Sequence, residues 1–459
     1  MLRKFIYGLC LVALLVIVGG YGYLHTKLPQ RSGEIVLPGL KHKVQVLFDE
    51  WAVPHIEAQN EHDAYLALGY LHAQDRLFQL ELMIRVAQGR LSEILGEDML
   101  DADRYFRTLG ISRFAETYAK DYFHKNPQYV KDALKAYLSG LNAFVSGGPT
   151  PIEFTLLGIP KREYTIKDLI CTGVYMSYTF TNAVRQDPLI TYIHNTFGAG
   201  YLKDLAIYWP EDDTKINVSG KSSGSALELA ELSFEIANVL SQVPPFFGSN
   251  SWAVSGSRTK SGKVIFANDP HIGYAAPSTW YEAHLKTPDW ELYGHHIAGI
   301  PFAIIGHNRR MAWGVTMLQN DDLDFYLERT NPDNPDQVWF RDDWEDLRII
   351  EETIPVRDSE DYPLRIRISR HGPVINDVLE PVKERVKQPV TLYWQMLSDF
   401  ENSTEQVFYE LGHSKTLADT QAAVSKLHAP GLNISYGDAE GNIAWWAAAR
   451  LLIRPSHVN

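Results

Sequence analysis

The stretch "PPFFGSNSWAVSGS", Pro244 to Ser257, sets a serine directly after a glycine at the start of a strongly patterned β segment. A serine hydroxyl is a poor nucleophile until a base stands beside it. A cut between Gly248 and Ser249 would give Ser249 an α-amino group of its own. The reference pKa of such an amine, about 7.7–8.0, leaves a useful neutral fraction at working pH. One residue would then supply nucleophile and base together, with no histidine relay. The cut itself requires the Ser249 hydroxyl to attack the Gly248 carbonyl. Glycine is the residue that best tolerates the strained backbone such an attack needs. Taken alone, Gly-Ser-Asn also reads as an ordinary surface turn.

Other chemistry-bearing patterns carry less. Ser257-Arg258-Thr259-Lys260 is a formal S-x-x-K, but the S-D-N and K-T-G elements that accompany it in acyl-serine enzymes do not occur downstream. A turn between two strands explains it better. No G-x-S-x-G, H-E-x-x-H, P-loop or C-x-x-C pattern is present. His295 and His296 are adjacent, so in a strand they point to opposite faces and do not make a joint metal site. The acidic run "QNDDLD" reads either as a solvated turn or as an oxygen-rich cation site, since calcium prefers several carboxylate and carbonyl oxygens.

"GSNSW" is followed in order by "NDPHI" (Asn268–Ile272), "GHN" (Gly306–Asn308), "AWGVT" (Ala312–Thr316) and "DDLD" (Asp321–Asp324). Upstream stand "AVPHIEA", "DAYLALGYLHAQDRLFQLEL" and "GRLSEILG". Together they resemble the penicillin acylase family of N-terminal nucleophile hydrolases, from about residue 33 to residue 454. The resemblance implies that Ser249 is the nucleophile freed by cleavage of Gly248–Ser249, with Asn250 and Trp252 as fixed positions beside it. It places His271 where some relatives carry a histidine that assists self-cleavage. It gives Met317 the backbone N–H of an oxyanion hole and Asn433 the side-chain amide of the other half. Arg454, in "LLIRP", matches an arginine near the active site. A structural Ca2+ ion is implied at Asp321, the Leu323 carbonyl and Asp324, with Asp187 in "VRQDPL" where relatives supply a glutamate.

These residues need a scaffold. The chain has 459 residues, 45% hydrophobic, with a net charge of −13 and only two cysteines. That is ample for a large core, makes a nucleic-acid partner a poor expectation and implies no disulfide framework. Arg3 and Lys4 precede an uncharged run, Phe5–Leu24, long enough to cross one bilayer core. Residues 1–24 therefore read as a signal anchor or signal peptide, the anchor being favoured, with the rest of the chain outside the cytoplasm: periplasmic or otherwise extracytoplasmic, held at the inner membrane. Residues 33–210 read as mainly helical: a helix from His62 stopping at Gly96, then helical patterns over 102–147 and 166–208. Residues 211–248 have linker composition and suit either a connector or an excisable spacer. From residue 249 to 459 the texture is β, with short strands, helices returning at 402–425 and a last hairpin.

The expected fold class is α+β. The resemblance makes it the four-layer αββα sandwich of N-terminal nucleophile hydrolases, with a mainly helical N-terminal subunit. It implies an α/β heterodimer made from one precursor, acting on small amides such as β-lactam side-chain amides or N-acyl homoserine lactones. Apolar residues around Tyr175–Phe180 and Tyr274 suit either an acyl pocket or the core. "LLIRPSHVN" lacks a closing element, so residues 249–459 read as a β-subunit incomplete at its C-terminus. The alternative function is a non-catalytic relative acting as a binding module.

Overall fold

Asn60 opens a long buried helix by accepting the Asp63 backbone N–H on its side-chain oxygen at 2.9 Å. The computed structural model describes residues 2–181, 189–190, 192–194, 196–205, 246–379, 388–401 and 404–453. The N-terminal helix α1 (Leu2–His25) is exposed along its length. Its Arg3–His25 segment, with a mean hydropathy of 2.2, is long and apolar enough to cross a membrane. Strands β1 (Gln45–Phe48) and β2 (Pro54–Glu57) pair antiparallel, as the alternation in "HKVQVLFDEWAVPHIEA" predicts.

The helix opened by Asn60 is α2 (Glu61–Gln88), which ends at Gly89 in the left-handed region (φ 62°) rather than at Gly96. Its apolar spacing carries on into the one-turn α3 (Ser92–Leu95), which is why the sequence pattern hides the break. The segment expected to be helical over 102–147 is divided into α4 (Leu100–Leu109), α5 (Ile111–Thr117) and α6 (Gln128–Gly147). Gly110 at φ 93° divides the first two, and a wide helical turn with a short 3-10 turn precedes Pro127. Two further helices, α7 (Ile152–Leu157) and α8 (Ile166–Thr179), follow, and a short helix at Ala199–Asp204 is the last described in this half, so the helical pattern expected over 166–208 is interrupted after Thr179. Thr165 and Asp168 cap α8 reciprocally.

The strand-rich half opens with β3 (Phe246–Val254) and β4 (Ile265–Ile272), a two-stranded ribbon. Next come β5 (Trp280–Lys286), β6 (Glu291–Ile297), β7 (Ile300–Asn308) and β8 (Met311–Met317). Small pairings follow among β9 (Leu323–Leu327), β10 (Thr330–Asn331), β11 (Asn334–Phe340), β12 (Asp343–Asp346), β13 (Arg348–Ile354), β14 (Tyr362–Ile368) and β15 (Val390–Trp394). Helices α9 (Thr404–His413) and α10 (Leu417–Val424) lead to the hairpin β16 (Leu432–Asp438) and β17 (Ile443–Ala448). The chain is thus α+β.

One eight-stranded sheet, in the order β1-β2-β5-β6-β7-β8-β16-β17, ties the two halves together. Every neighbouring pair is antiparallel except β2 and β5, where His55, Ile56 and Glu57 pair parallel with His284, Leu285 and Lys286. A parallel pair needs a long crossover, and here the whole helical half and residues 211–248 lie between the two strands. A single hydrophobic cluster runs through both halves, from Leu66, Leu80 and Tyr137 to Phe302, Trp313 and Ile434. His296 is fully buried and its burial lowers its pKa to about 3, while His295 faces the other way.

Candidate active site

Three strands converge on Ser249. The β3–β4 ribbon lies against β8, β16 and β17, and its register sets Gly248 opposite His271, Ser249 opposite Pro270 and Asn250 opposite Asp269. Asn268 fastens the ribbon to β8. Its side-chain N–H donates to the Asn250 and Val315 carbonyls, both at 3.0 Å, and its oxygen accepts from the Val315 N–H at 3.2 Å. Gly314 leaves the room for this clamp, since a Cβ there would stand 2.6 Å from the Asn268 side chain.

The clamp brings the end of β8 to the serine. The Met317 N–H donates to Ser249 Oγ across 3.4 Å. On the next strand, Asn433 Nδ2 donates to the Met317 carbonyl at 2.9 Å, and Leu432 pairs with Met317 in register. A primary amide carries two N–H donors, so Asn433 keeps a second one beyond the Met317 bond. Its oxygen accepts from Trp445 Nε1 at 3.2 Å, which fixes which way the amide faces. Met317 therefore links the two residues, its N–H donating to Ser249 Oγ and its carbonyl accepting from the Asn433 amide.

The backbone before Ser249 is irregular. The register shifts between Phe246 and Gly248, and Gly248 has φ 149°, a conformation side-chain-bearing residues rarely adopt. His271 flanks this point. Its Nδ1 lies 3.8 Å from where a Cβ on Gly248 would stand, while its Nε2 is 3.0 Å from Asp269 Oδ2 and 3.2 Å from Asn250 Nδ2. A proton on Nε2, given to Asp269, leaves Nδ1 as the basic nitrogen toward Gly248.

The remaining sequence candidates fall elsewhere. Arg454 and Asp187 lie outside the described residues. Asp321 is exposed and Asp324 half-buried at the start of β9, with Leu323 buried between Asp322 and Asp324. Among the described residues, no group of three or more acidic, histidine or cysteine side chains is arranged around a common point for a metal. Ser257 sits in the turn joining β3 to β4, its hydroxyl 3.2 Å from that of Ser255.

Beside Ser249 opens a cavity walled almost wholly by carbon. Pro270 and Leu432, the register partners of Ser249 and Met317, line it together with Val315, two residues before Met317 on β8, and with Met176, Phe180 and Phe302. Of the aromatic stretch singled out in the sequence, Met176, Ser177 and Phe180 reach this cavity, Tyr175 is buried against Phe106, and Tyr274 is fully exposed and is not among its lining. Sequence reasoning missed Trp445, whose adjacency to Trp446 in the last hairpin reads only as strand packing, and Glu405, a cavity residue in the first turn of α9.

Comparison with known proteins identifies the family. Residues 43–459 match the model of the penicillin amidase family, and the chain belongs to that family. It is similar to the penicillin acylase 2 proenzyme of a Pseudomonas species, 32% identical over 94% of this chain and 55% of that protein. It is also similar to the acyl-homoserine lactone acylase QuiP of Pseudomonas aeruginosa, 27% identical over 92% of this chain and 51% of that protein. The chain thus spans about half the length of these relatives. Among solved structures, a thermostable penicillin G acylase from Alcaligenes faecalis aligns over 43% of this chain and 35% of its own, at 24% identity and a TM-score of 0.39.

Proposed function

We propose that the chain is the precursor of a self-cleaving amide hydrolase with Ser249 as its nucleophile. The observation that carries the reading is the Met317 N–H on Ser249 Oγ with the Asn433 amide alongside. In the uncut chain the Ser249 nitrogen is an amide and has no basic lone pair. Attack of Oγ on the Gly248 carbonyl, with the Oγ proton passing to the freed nitrogen, moves the acyl bond from nitrogen to oxygen. Water then releases Gly248 and leaves Ser249 with a free α-amine. His271, whose Nδ1 lies beside Gly248, carries a proton in that step. In turnover the α-amine takes the proton from Oγ as Oγ attacks a substrate amide, and returns it to the departing amine. The Met317 N–H and the Asn433 amide hold the oxygen that becomes negative. Water, activated by the same amine, hydrolyses the acyl-serine ester.

The carbon-walled cavity suits an apolar acyl group. Relatives named as penicillin acylase and acyl-homoserine lactone acylase support β-lactam side-chain amides or N-acyl homoserine lactones as the substrate class. The N-terminal helix supports an extracytoplasmic, membrane-held location. The test is a rapid acid quench during turnover of a slow acyl amide, followed by peptide mapping. An acyl mass on the peptide beginning at Ser249 is expected. An adduct on Ser257, or unchanged turnover in Ser249→Ala, would overturn the proposal.

Asp321, Asp324 and the Leu323 carbonyl offer the hard oxygen donors calcium takes, and would supply three of its six to eight ligands. Its role there would be structural, bracing the entry to β9. Chelation should lower the melting temperature by several degrees, as expected for loss of a ligand bound only to the folded state, and added Ca2+ should restore it. A melting curve indifferent to chelator and to Ca2+ would exclude the site.

A further inference from the structure

The cavity beside Ser249 contains one feature that an apolar acyl group does not use. Glu405, the second residue of α9, lines it among Tyr118, Met396 and Phe408. Other acids of low exposure have partners. Glu61 meets His413 and Tyr409, Glu81 meets Arg85 and Tyr164, Glu328 meets His371 and Thr391, and Glu410 meets Lys426. Among the described residues no side chain donates to the Glu405 carboxylate and no cation pairs with it, and its own backbone N–H is the one donor there. The hydroxyl of Tyr118, the titratable neighbour among the described residues, accepts from Asn126 Nδ2 at 3.0 Å. Glu405 is half-buried, and desolvation by the surrounding carbon raises its carboxyl above its ordinary range. A carboxylate kept in an apolar cavity without a partner costs stability unless a bound molecule completes it.

We propose that Glu405 sets acyl specificity: the cavity takes an acyl group whose apolar stem carries a protonated amine, and the ammonium pairs with the Glu405 carboxylate. This rests on the amide-hydrolase reading of Ser249 for its biological sense, but not for its test. Carbon walls accept the stem, and the carboxylate distinguishes an aminoacyl group from a plain alkanoyl group of equal length. A hydrogen bond to a charged group of this kind corresponds to a preference of about tenfold or more.

Binding to the native full-length chain tests it without turnover. Hexylamine and 1-hexanol share a six-carbon stem, and calorimetric titration at pH 7.5 compares them directly. The amine is expected to bind at least about tenfold tighter, Glu405→Gln to erase the difference, and Glu405→Asp to retain part of it. Equal affinity of the two probes, binding of neither, or an unchanged preference in Glu405→Gln would overturn the assignment. Failure of the Ser249 reading shows separately, as an unacylated serine in the quench experiment.

Discussion

At the scale of single residues the site depends on which way a few donors face. The Met317 N–H is fixed by strand register, and the Asn433 amide is held at both ends, its Nδ2 by the Met317 carbonyl at 2.9 Å and its oxygen by a second donor. Trp445 Nε1 is that donor, at 3.2 Å. Asn433→Ala should lower kcat by roughly 10²–10³ with little change in KM, the loss expected for one oxyanion donor. Trp445→Phe keeps the ring and removes the N–H. It should lower kcat on the order of tenfold, again at constant KM, because the donor is misaimed rather than lost. Steady-state kinetics on a chromogenic acyl anilide separate the two, and a Trp445→Phe enzyme with normal kcat would remove Trp445 from the account. Much of this was legible beforehand. Ser249, Met317 and Asn433 follow from the family resemblance, and in the fold Met317 bonds to each of the other two. Trp445 and Glu405 were not, because a tryptophan in a strand reads as packing and a glutamate in a first helical turn reads as a favourable dipole partner.

At the scale of elements, the cavity is only as firm as α8, which supplies Met176, Ser177 and Phe180 to its wall. The helix start is held by Asp168, which accepts from the Thr165 N–H at 2.9 Å and from both Arg162 terminal nitrogens at 3.0 Å. Burial alone would raise the Asp168 carboxyl, but the Arg162 and Thr165 bonds outweigh it and the net shift is downward. A depressed folded-state pKa stabilises above the unfolded value and is lost as pH falls through the folded one. Asp168→Asn should therefore destabilise by roughly 2–4 kcal/mol at pH 7, below the full cost of breaking a buried ion pair because the Arg162 side chain is 27% exposed. The gap between the two proteins should narrow below about pH 4, measured by urea unfolding. A gap constant across that range would mean that the charge plays no part. Element boundaries were less legible than element types. The α2 stop at Gly89 escaped the pattern because α3 continues its apolar spacing after one turn, whereas β1, β2 and the β16–β17 hairpin follow directly from alternation.

At the scale of the whole molecule, a cut at Gly248–Ser249 divides a structure that does not divide. Strand β2 precedes the cut and β5 follows it, yet they pair within one sheet, and the main hydrophobic cluster draws on both sides. The two fragments should therefore elute together in gel filtration and separate only in denaturant. Independent elution under native conditions would contradict the shared core. What the sequence could not convey is this interlock, since the parallel β2–β5 contact joins residues more than two hundred positions apart and no local pattern records it. The most direct test of the central claim is N-terminal sequencing of the purified native protein. The account predicts a second chain beginning Ser249-Asn250-Ser251-Trp252, absent from Ser249→Ala. A chain unbroken through Ser249 in protein that hydrolyses amides would contradict it.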